Sequence, residues 1–118
     1  MADELKINLS VSFSKGGANF TKQKSINIDV SGDSYTSAVQ NIGTTEEALT
    51  LVPDLTTPGY VILINLDSTN YVEVGSTTGV YDLKLKPGEL ALYRHNSSTI
   101  YAKANTSAIN LEYIVVED

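Results

Sequence analysis

Cysteine and tryptophan are absent from this chain, and histidine and methionine each occur once. Without cysteine there is no disulfide framework and no chemistry that depends on a thiolate. A single histidine excludes the metal sites of cupin-type enzymes, which need several imidazoles together with a carboxylate. Since His95 stands beside Arg94 in a polar turn, we interpret it as an exposed turn residue. We expect neither a metal nor another cofactor.

Long apolar runs are also missing, since no stretch approaches the roughly 18 residues that a membrane helix needs. The first six residues contain no basic region followed by an apolar core, which is not the pattern of a signal peptide. Basic residues are few, with 8 Lys and Arg against 14 Asp and Glu and a net charge of −6. Nucleic-acid binding needs basic side chains, and the loose cluster of Lys15, Lys22 and Lys24 is typical of a solvated strand edge. We therefore expect neither a membrane nor a nucleic-acid partner.

Short strands with turns between them fill the 118 residues, which is the length of one domain. Apolar residues take the odd positions from Leu5 to Phe13 and polar residues the even ones, a period typical of a half-buried strand. With a second strand over Phe20–Val30, this segment predicts a long hairpin. Further strands are predicted over Tyr35–Gly43, Tyr81–Lys86, Leu90–Arg94, Thr99–Ala104 and Ala108–Val116. The spacing predicts an all-β protein, an antiparallel and jelly-roll-like sandwich of about 8–10 strands, as a single domain over residues 1–118.

The apolar run Gly59–Asn65 is the most informative stretch of the sequence. It is followed by a turn-rich linker and by an alternating strand over Tyr71–Gly75. This pattern predicts a hairpin whose first arm is apolar on both faces and lies in the middle of a packed sandwich. Four successive side chains of that arm are therefore expected to be largely buried: Val61, Ile62, Leu63 and Ile64.

The segment after Gly43 is open to two interpretations. Thr44 and Glu47 have the spacing of a helix capping box, which would begin a short helix through Leu51. The alternative is a tight turn into a strand over Ala48–Val52. β-Branched neighbours favour the strand, as does Pro53, which ends the segment too soon for a stable helix.

Carboxylates and tyrosines are the remaining candidates for chemistry. Glu73, Asp82 and Glu89 fall on or near predicted strands, but they alternate outward with polar neighbours, so we do not expect a catalytic pair. Asp67, Asn70 and Glu73 offer oxygen ligands to calcium, although turn formation explains the first two without a metal. Four tyrosines offer a sugar-binding platform, although sandwich packing also accounts for most of them: Tyr35, Tyr71, Tyr93 and Tyr101. A carbohydrate- or surface-binding module is thus the alternative to a structural protein, and an enzyme is not expected.

Five short blocks of the sequence resemble small virion structural proteins of tailed bacteriophages. They are Thr57–Tyr60, Asn65–Gly75, Leu85–Glu89, Ile100–Ala104 and Leu111–Tyr113, and the similarity covers residues 40–116. The Asn65–Gly75 block is the most distinctive of them. The resemblance implies a non-enzymatic jelly-roll or β-sandwich module of the virion: a capsid decoration or auxiliary capsid protein, or part of a head fibre or tail. It implies no functional residue at a numbered position.

The same resemblance implies a homo-oligomer, a trimer, that binds the phage capsid or other virion proteins. A small β-protein also gains by covering its sheet edges. The candidate contact residues are Leu5 and Ile7 on the first strand, and Ile114 and Val116 on the last. The last strand is apolar on both faces, so we expect it to be central and its outer side chains to be covered by a partner.

Overall fold

The computed structural model describes residues 4–118, which form ten β-strands and no helix. A helix long and apolar enough to cross a bilayer is accordingly not found within these residues. The chain divides into two compact units, Met1–Ser31 and Gly32–Asp118. The first unit contains a two-stranded hairpin and the second contains an eight-stranded antiparallel sandwich, which confirms the predicted fold class.

The hairpin consists of β1 (Leu5–Lys15) and β2 (Ala18–Ile28), as the alternation of its sequence predicts. Its antiparallel register is regular over its whole length, from Leu5 opposite Ile28 to Lys15 opposite Ala18. The turn is made by Gly16 and Gly17, whose φ angles are 57° and 87°. Two successive positive φ angles give the tight turn whose twist matches that of the flanking strands, and glycine adopts them without strain.

The sandwich has two four-stranded sheets. Most strands that follow one another along the chain belong to different sheets. Its strands are β3 (Tyr35–Ile42), β4 (Glu47–Ala48), β5 (Pro58–Asn65), β6 (Val72–Gly75), β7 (Leu83–Leu85), β8 (Leu90–Arg94), β9 (Tyr101–Ala104) and β10 (Ile109–Glu117). Sheet I has the order β3-β10-β5-β8 and sheet II the order β4-β9-β6-β7. The first strand of the sandwich, β3, thus pairs with the last, β10. The pairs β4 with β9, β5 with β8, and β6 with β7 are nested within it, which is the strand order of a jelly roll.

The predicted hairpin over Gly59–Gly75 is wrong, because β5 and β6 do not pair. β5 lies between β10 and β8 in sheet I, whereas β6 lies between β9 and β7 in sheet II. The linker that joins them is held by side-chain turns: Asn65 Oδ1 accepts from the Asp67 N–H (2.9 Å), and Asp67 Oδ2 accepts from the Asn70 N–H (2.6 Å). Such turns bend the chain sharply, and here the bend leads from one sheet to the other.

The core lies between the inner faces of the two sheets. Sheet I contributes the buried side chains of Ile42, Val61, Leu63, Ile109, Leu111, Tyr113 and Val115, and sheet II those of Val72, Val74, Leu85, Ala102 and Ala104. The expected burial of four successive residues is confirmed for Val61 and Leu63 and wrong for Ile62 and Ile64, which are only half-buried. Successive side chains of a strand point to opposite faces, and only the inner face of sheet I packs against sheet II.

The segment after Gly43 forms neither a helix nor the full strand. Only β4 is extended and paired, and residues 49–53 are irregular. Glu47 serves as a loop anchor, since its Oε2 accepts from the Gly43 N–H (3.1 Å) and its Oε1 from Gln40 Nε2 (2.9 Å). Leu49 and Leu55 bury their side chains and so attach the irregular segment to the core. The helix alternative is therefore wrong, and the predicted strand is present only at Ala48.

Candidate interaction surface

The outer face of sheet I carries large apolar side chains on all four of its strands. Ile62 lies opposite Ile114 on one side and Leu92 on the other, and Ile64 lies opposite Leu90. We call this surface the apolar face of sheet I; its members are Tyr35 and Val39 of β3, Ile62 and Ile64 of β5, Leu90 and Leu92 of β8, and Ile114 and Val116 of β10. Leu90 is 66% exposed and Val39 is 56% exposed. The outer side chains of the predicted central strand, Ile114 and Val116, therefore belong to a much larger apolar surface.

Glu112 lies within the apolar face of sheet I. On its two sides it is opposite Val39 of β3 and Ile64 of β5. The residue is half-buried, and within residues 4–118 its carboxylate makes no hydrogen bond or ion pair. Covering this face would remove the carboxylate from water, which is costly unless a cation accompanies it.

An ion pair borders one end of the apolar face of sheet I. Arg94 Nη1 lies 2.7 Å from Asp118 Oδ1, and the guanidinium stands 4.7 Å from the ring centroid of Tyr60. The hydrogen bond that Arg94 donates to the Asp118 carboxylate raises the pKa of Arg94 above its usual value. Both side chains are exposed, so the ion pair contributes about 0–1 kcal/mol to stability.

The outer face of sheet II has the opposite character. Lys103 of β9 lies opposite Glu73 of β6, which in turn lies opposite Lys84 of β7. This row of alternating charges is favourable across neighbouring strands and is typical of a solvated surface. Lys84 Nζ also stands 4.2 Å from the ring centroid of Tyr71. The outer face of sheet II is thus typical of a solvated surface, whereas large apolar side chains dominate the outer face of sheet I.

The hairpin of the first unit also has one apolar side, which we call the hairpin face. Its cross-strand pairs are Leu5 with Ile28, Ile7 with Ile26, Leu9 with Lys24, Val11 with Lys22, and Phe13 with Phe20. The four large apolar side chains toward the turn are between 39% and 53% exposed, and the two phenylalanine rings stack with centroids 5.7 Å apart. Lys22 and Lys24, which the sequence assigned to a solvated strand edge, therefore lie among the apolar side chains of the hairpin face.

The four predicted contact residues fall on these two surfaces. Leu5 and Ile7 lie on the hairpin face, and Ile114 and Val116 lie on the apolar face of sheet I; all four are half-buried. The sequence pattern did not identify Ile62, Leu90 and Leu92 as surface residues. Their alternation with core side chains was visible, but a period of two does not tell which of two apolar faces is the inner one.

His95 is buried, so its interpretation as an exposed turn residue is wrong. Its Nε2 lies 2.8 Å from the Thr99 carbonyl oxygen and its Nδ1 lies 3.3 Å from the Tyr93 hydroxyl. A carbonyl oxygen only accepts, so Nε2 carries the proton and Nδ1 accepts from Tyr93. With both ring nitrogens engaged, His95 holds the β8–β9 connection in place and has no nitrogen left for chemistry.

The candidate carboxylates are not brought together. Asp67 accepts from the Asn70 and Thr69 N–H groups, which lower the pKa of its carboxyl. Glu89 Oε1 accepts from the Lys86 N–H (2.8 Å) in a turn. Glu73 belongs to the charged row of sheet II, and Asp82 is exposed. No group of three or more His, Cys, Asp or Glu side chains within residues 4–118 is placed to hold a metal ion.

A groove of about 750 Å³ runs beside the edge strand β3, where Tyr35 is exposed. Its main polar groups are already engaged. Gln40 Oε1 accepts from the Thr50 N–H (2.9 Å) and from the Tyr113 hydroxyl (3.1 Å), and Thr36 Oγ1 accepts from the Val52 N–H (2.9 Å). These contacts fasten the irregular segment to β3, and they leave few partners for the hydroxyl groups of a sugar.

Titration of tyrosine should reveal the half-buried hydroxyl of Tyr93 beside His95. Burial raises the pKa of Tyr93 from 10.0 to about 12. A raised folded-state pKa contributes stability that is fully present below pH 10 and is lost as the pH rises through 12. We expect the ultraviolet absorbance of the folded protein to show phenolate formation near pH 12 that is reduced by one tyrosine in Tyr93→Phe. An unchanged high-pH step in this variant would contradict the assignment.

Comparison of the chain with protein-family models, with curated proteins and with solved structures gives no match. The resemblance to virion structural proteins of tailed bacteriophages therefore stays a prediction.

Proposed function

We propose that this chain is a non-enzymatic structural protein of a tailed-phage virion, which self-associates and decorates or reinforces the capsid or forms part of a head fibre or tail. The proposal depends above all on the apolar face of sheet I. Soluble monomers rarely expose contiguous apolar surface across a whole sheet. The charged row on the outer face of sheet II provides the contrast, since that side of the same sandwich has the composition of an ordinary solvated surface. An apolar face of this breadth is expected to be buried in an assembly.

The location in a virion is supported by the fold and by the sequence resemblance. Jelly rolls form many viral capsid domains, although lectins and cupins share the architecture. The resemblance adds the tailed-phage setting and a trimeric assembly. The net charge of −6 agrees with a position outside the packaged genome, since it would repel nucleic acid.

A carbohydrate-binding module has less support. Tyr35 is 64% exposed beside the β3 groove, which is the observation in its favour. The side chains of Gln40 and Thr36, however, already hydrogen-bond the segment that forms the opposite wall. Binding of a sugar would have to break contacts that maintain the fold.

Self-association should depend on the apolar face of sheet I. The protein is expected to sediment as an oligomer, a trimer of the 12.7 kDa chain, at micromolar concentration. In Leu92→Lys, on β8 and two strands away from Glu112, the assembly would bury an added unpaired charge, so we expect association weaker by at least about 100-fold. The matched control Ala48→Lys adds the same charge on an exposed residue of sheet II and should leave the oligomer intact. A wild-type protein that stays monomeric, or equal effects of the two variants, would contradict the proposal.

The virion location has its own test. Particles from a culture that produces the protein are separated on a density gradient and analysed by mass spectrometry. We expect the chain in the fraction that contains tailed-phage particles. Its absence from intact particles, despite its presence in the lysate, would overturn the virion assignment.

A further inference from the structure

Two apolar surfaces of this protein carry central charges of opposite sign. The hairpin face contains Lys22 and Lys24, and the apolar face of sheet I contains Glu112. We propose that the hairpin of one copy packs its apolar face onto the apolar face of sheet I of a neighbouring copy, with these lysines against Glu112. The inference rests on the self-association in the proposed function and names the surfaces that meet.

The hairpin requires a partner for physical reasons. A two-stranded hairpin is marginally stable in water unless its apolar side packs against something. Its strands have eleven residues each, which at about 3.3 Å per residue makes an arm about 36 Å long. Within that arm Leu9, Val11, Phe13 and Phe20 are all exposed. Burial of this surface would stabilise both the arm and the assembly that contains it.

Charge selects sheet I of a second copy as the occupant. If two sheet I faces met, two Glu112 carboxylates would be buried together; if two hairpin faces met, lysines would face lysines. Like charges brought together out of water repel strongly. Only the contact between a hairpin face and a sheet I face pairs opposite charges within an apolar surround, which is the arrangement that a buried charge needs.

The positions of the charges agree with this contact. Lys24 and Lys22 lie opposite Leu9 and Val11, with apolar pairs before and after them along the hairpin. Glu112 lies on an interior strand between Val39 and Ile64. Packed sheets are about 10 Å apart, so a lysine can lay its methylene stem on the apolar surface while its ammonium reaches the carboxylate.

A contact between different surfaces of two copies is heterologous. Such contacts build a closed ring when the rotation between copies closes, and an open filament when it does not. A ring in which each copy supplies one hairpin and one sheet I face leaves neither surface uncovered. The trimer expected for this protein is one such ring.

Cysteine cross-linking tests the contact directly, because the natural chain contains no cysteine. Tagged Lys22→Cys protein is mixed with untagged Glu112→Cys protein and oxidised. We expect a disulfide-linked heterodimer as the main product. The control, tagged Lys22→Cys with Lys84→Cys on the outer face of sheet II, should give no heterodimer above background.

Charge exchange supplies an independent readout. Glu112→Lys alone, and Lys22→Glu with Lys24→Glu, should each weaken self-association by at least tenfold. Combining all three substitutions in one chain should restore most of it, which a purely structural role of these residues would not do. Failure of the combination to recover association would overturn the inference.

Three further outcomes would also overturn the proposed contact between the hairpin face and the apolar face of sheet I. Cross-linked Glu112→Cys homodimers would indicate that sheet I faces meet each other. Cross-linking only within single chains, in a variant with both cysteines, would indicate that the hairpin covers sheet I of its own copy. A trimer that forms no cross-link at all would reject this contact but leave the proposed function standing, whereas a monomer absent from virions would reject the proposed function itself.

Discussion

Leu63→Ala should lower the free energy of unfolding by about 2–5 kcal/mol. Leu63 is fully buried on β5, which lies between β10 and β8, and it is opposite Tyr113 and Ala91. Truncation removes its favourable burial and leaves a cavity that neighbours on two sides restrain from closing. Urea denaturation followed by far-ultraviolet circular dichroism measures the loss.

The matched control is Ile62→Ala, one residue earlier on the same strand. Ile62 faces outward and is half-buried, so its truncation should cost clearly less stability when measured on dissociated protein. Its main effect should fall on self-association. Equal losses of unfolding free energy in the two variants would contradict the inward and outward assignment of β5.

Asn65→Leu should be comparably destabilising, by about 3–5 kcal/mol, because it removes the hydrogen bonds that join the two sheets. Asn65 is fully buried, and its Nδ2 donates to the carbonyl oxygens of Asn70 and Leu85, each at 3.0 Å. Its Oδ1 accepts from the Asp67 N–H. A buried polar group that loses its partner costs about 1–3 kcal/mol, and leucine would remove the partner of one buried group, the Leu85 carbonyl oxygen, and of two half-buried groups at Asp67 and Asn70.

A second asparagine of the same sheet provides the control. Asn41 donates from Nδ2 to Asn110 Oδ1 at 3.1 Å, but both residues are exposed. Asn41→Leu should therefore change the unfolding free energy by no more than about 0.5 kcal/mol. If Asn65→Leu were as mild in thermal and urea denaturation, the buried amide would not be what fixes the crossover between the sheets.

The sequence predicted strands far better than it predicted their partners. β3, β5, β8 and β10 lie within a residue or two of their expected bounds, because alternating and apolar runs between turns specify extended backbone. The predicted β5–β6 hairpin was wrong. The prediction relied on the general tendency of adjacent strands to pair when a short linker joins them. Here the buried side chain of Asn65 and the turn at Asp67 redirect the chain, and polar residues in a linker look alike whether they close a hairpin or change sheets.

The sequence predicted only some residues of the candidate surface. Ile114 and Val116 were recognised because the last strand is apolar on both faces, and a second apolar face needs a cover. Ile62 and Ile64 had the same property but were assigned to the core. Which apolar strand face becomes interior depends on whether another layer packs on it, and that layer comes from residues distant in sequence.

The sequence by itself determined the all-β class, the extents of most strands, the long glycine-turn hairpin and the lack of cysteine chemistry, because each depends on local spacing or on composition. The tertiary structure alone decided the nested strand order, the burial of His95 and Asn65, and the apolar face of sheet I with Glu112 inside it. The physical reason is that strand partners and side-chain neighbours are set by contacts between distant segments. A period of two specifies that a strand has two faces, but only packing decides which face meets the core.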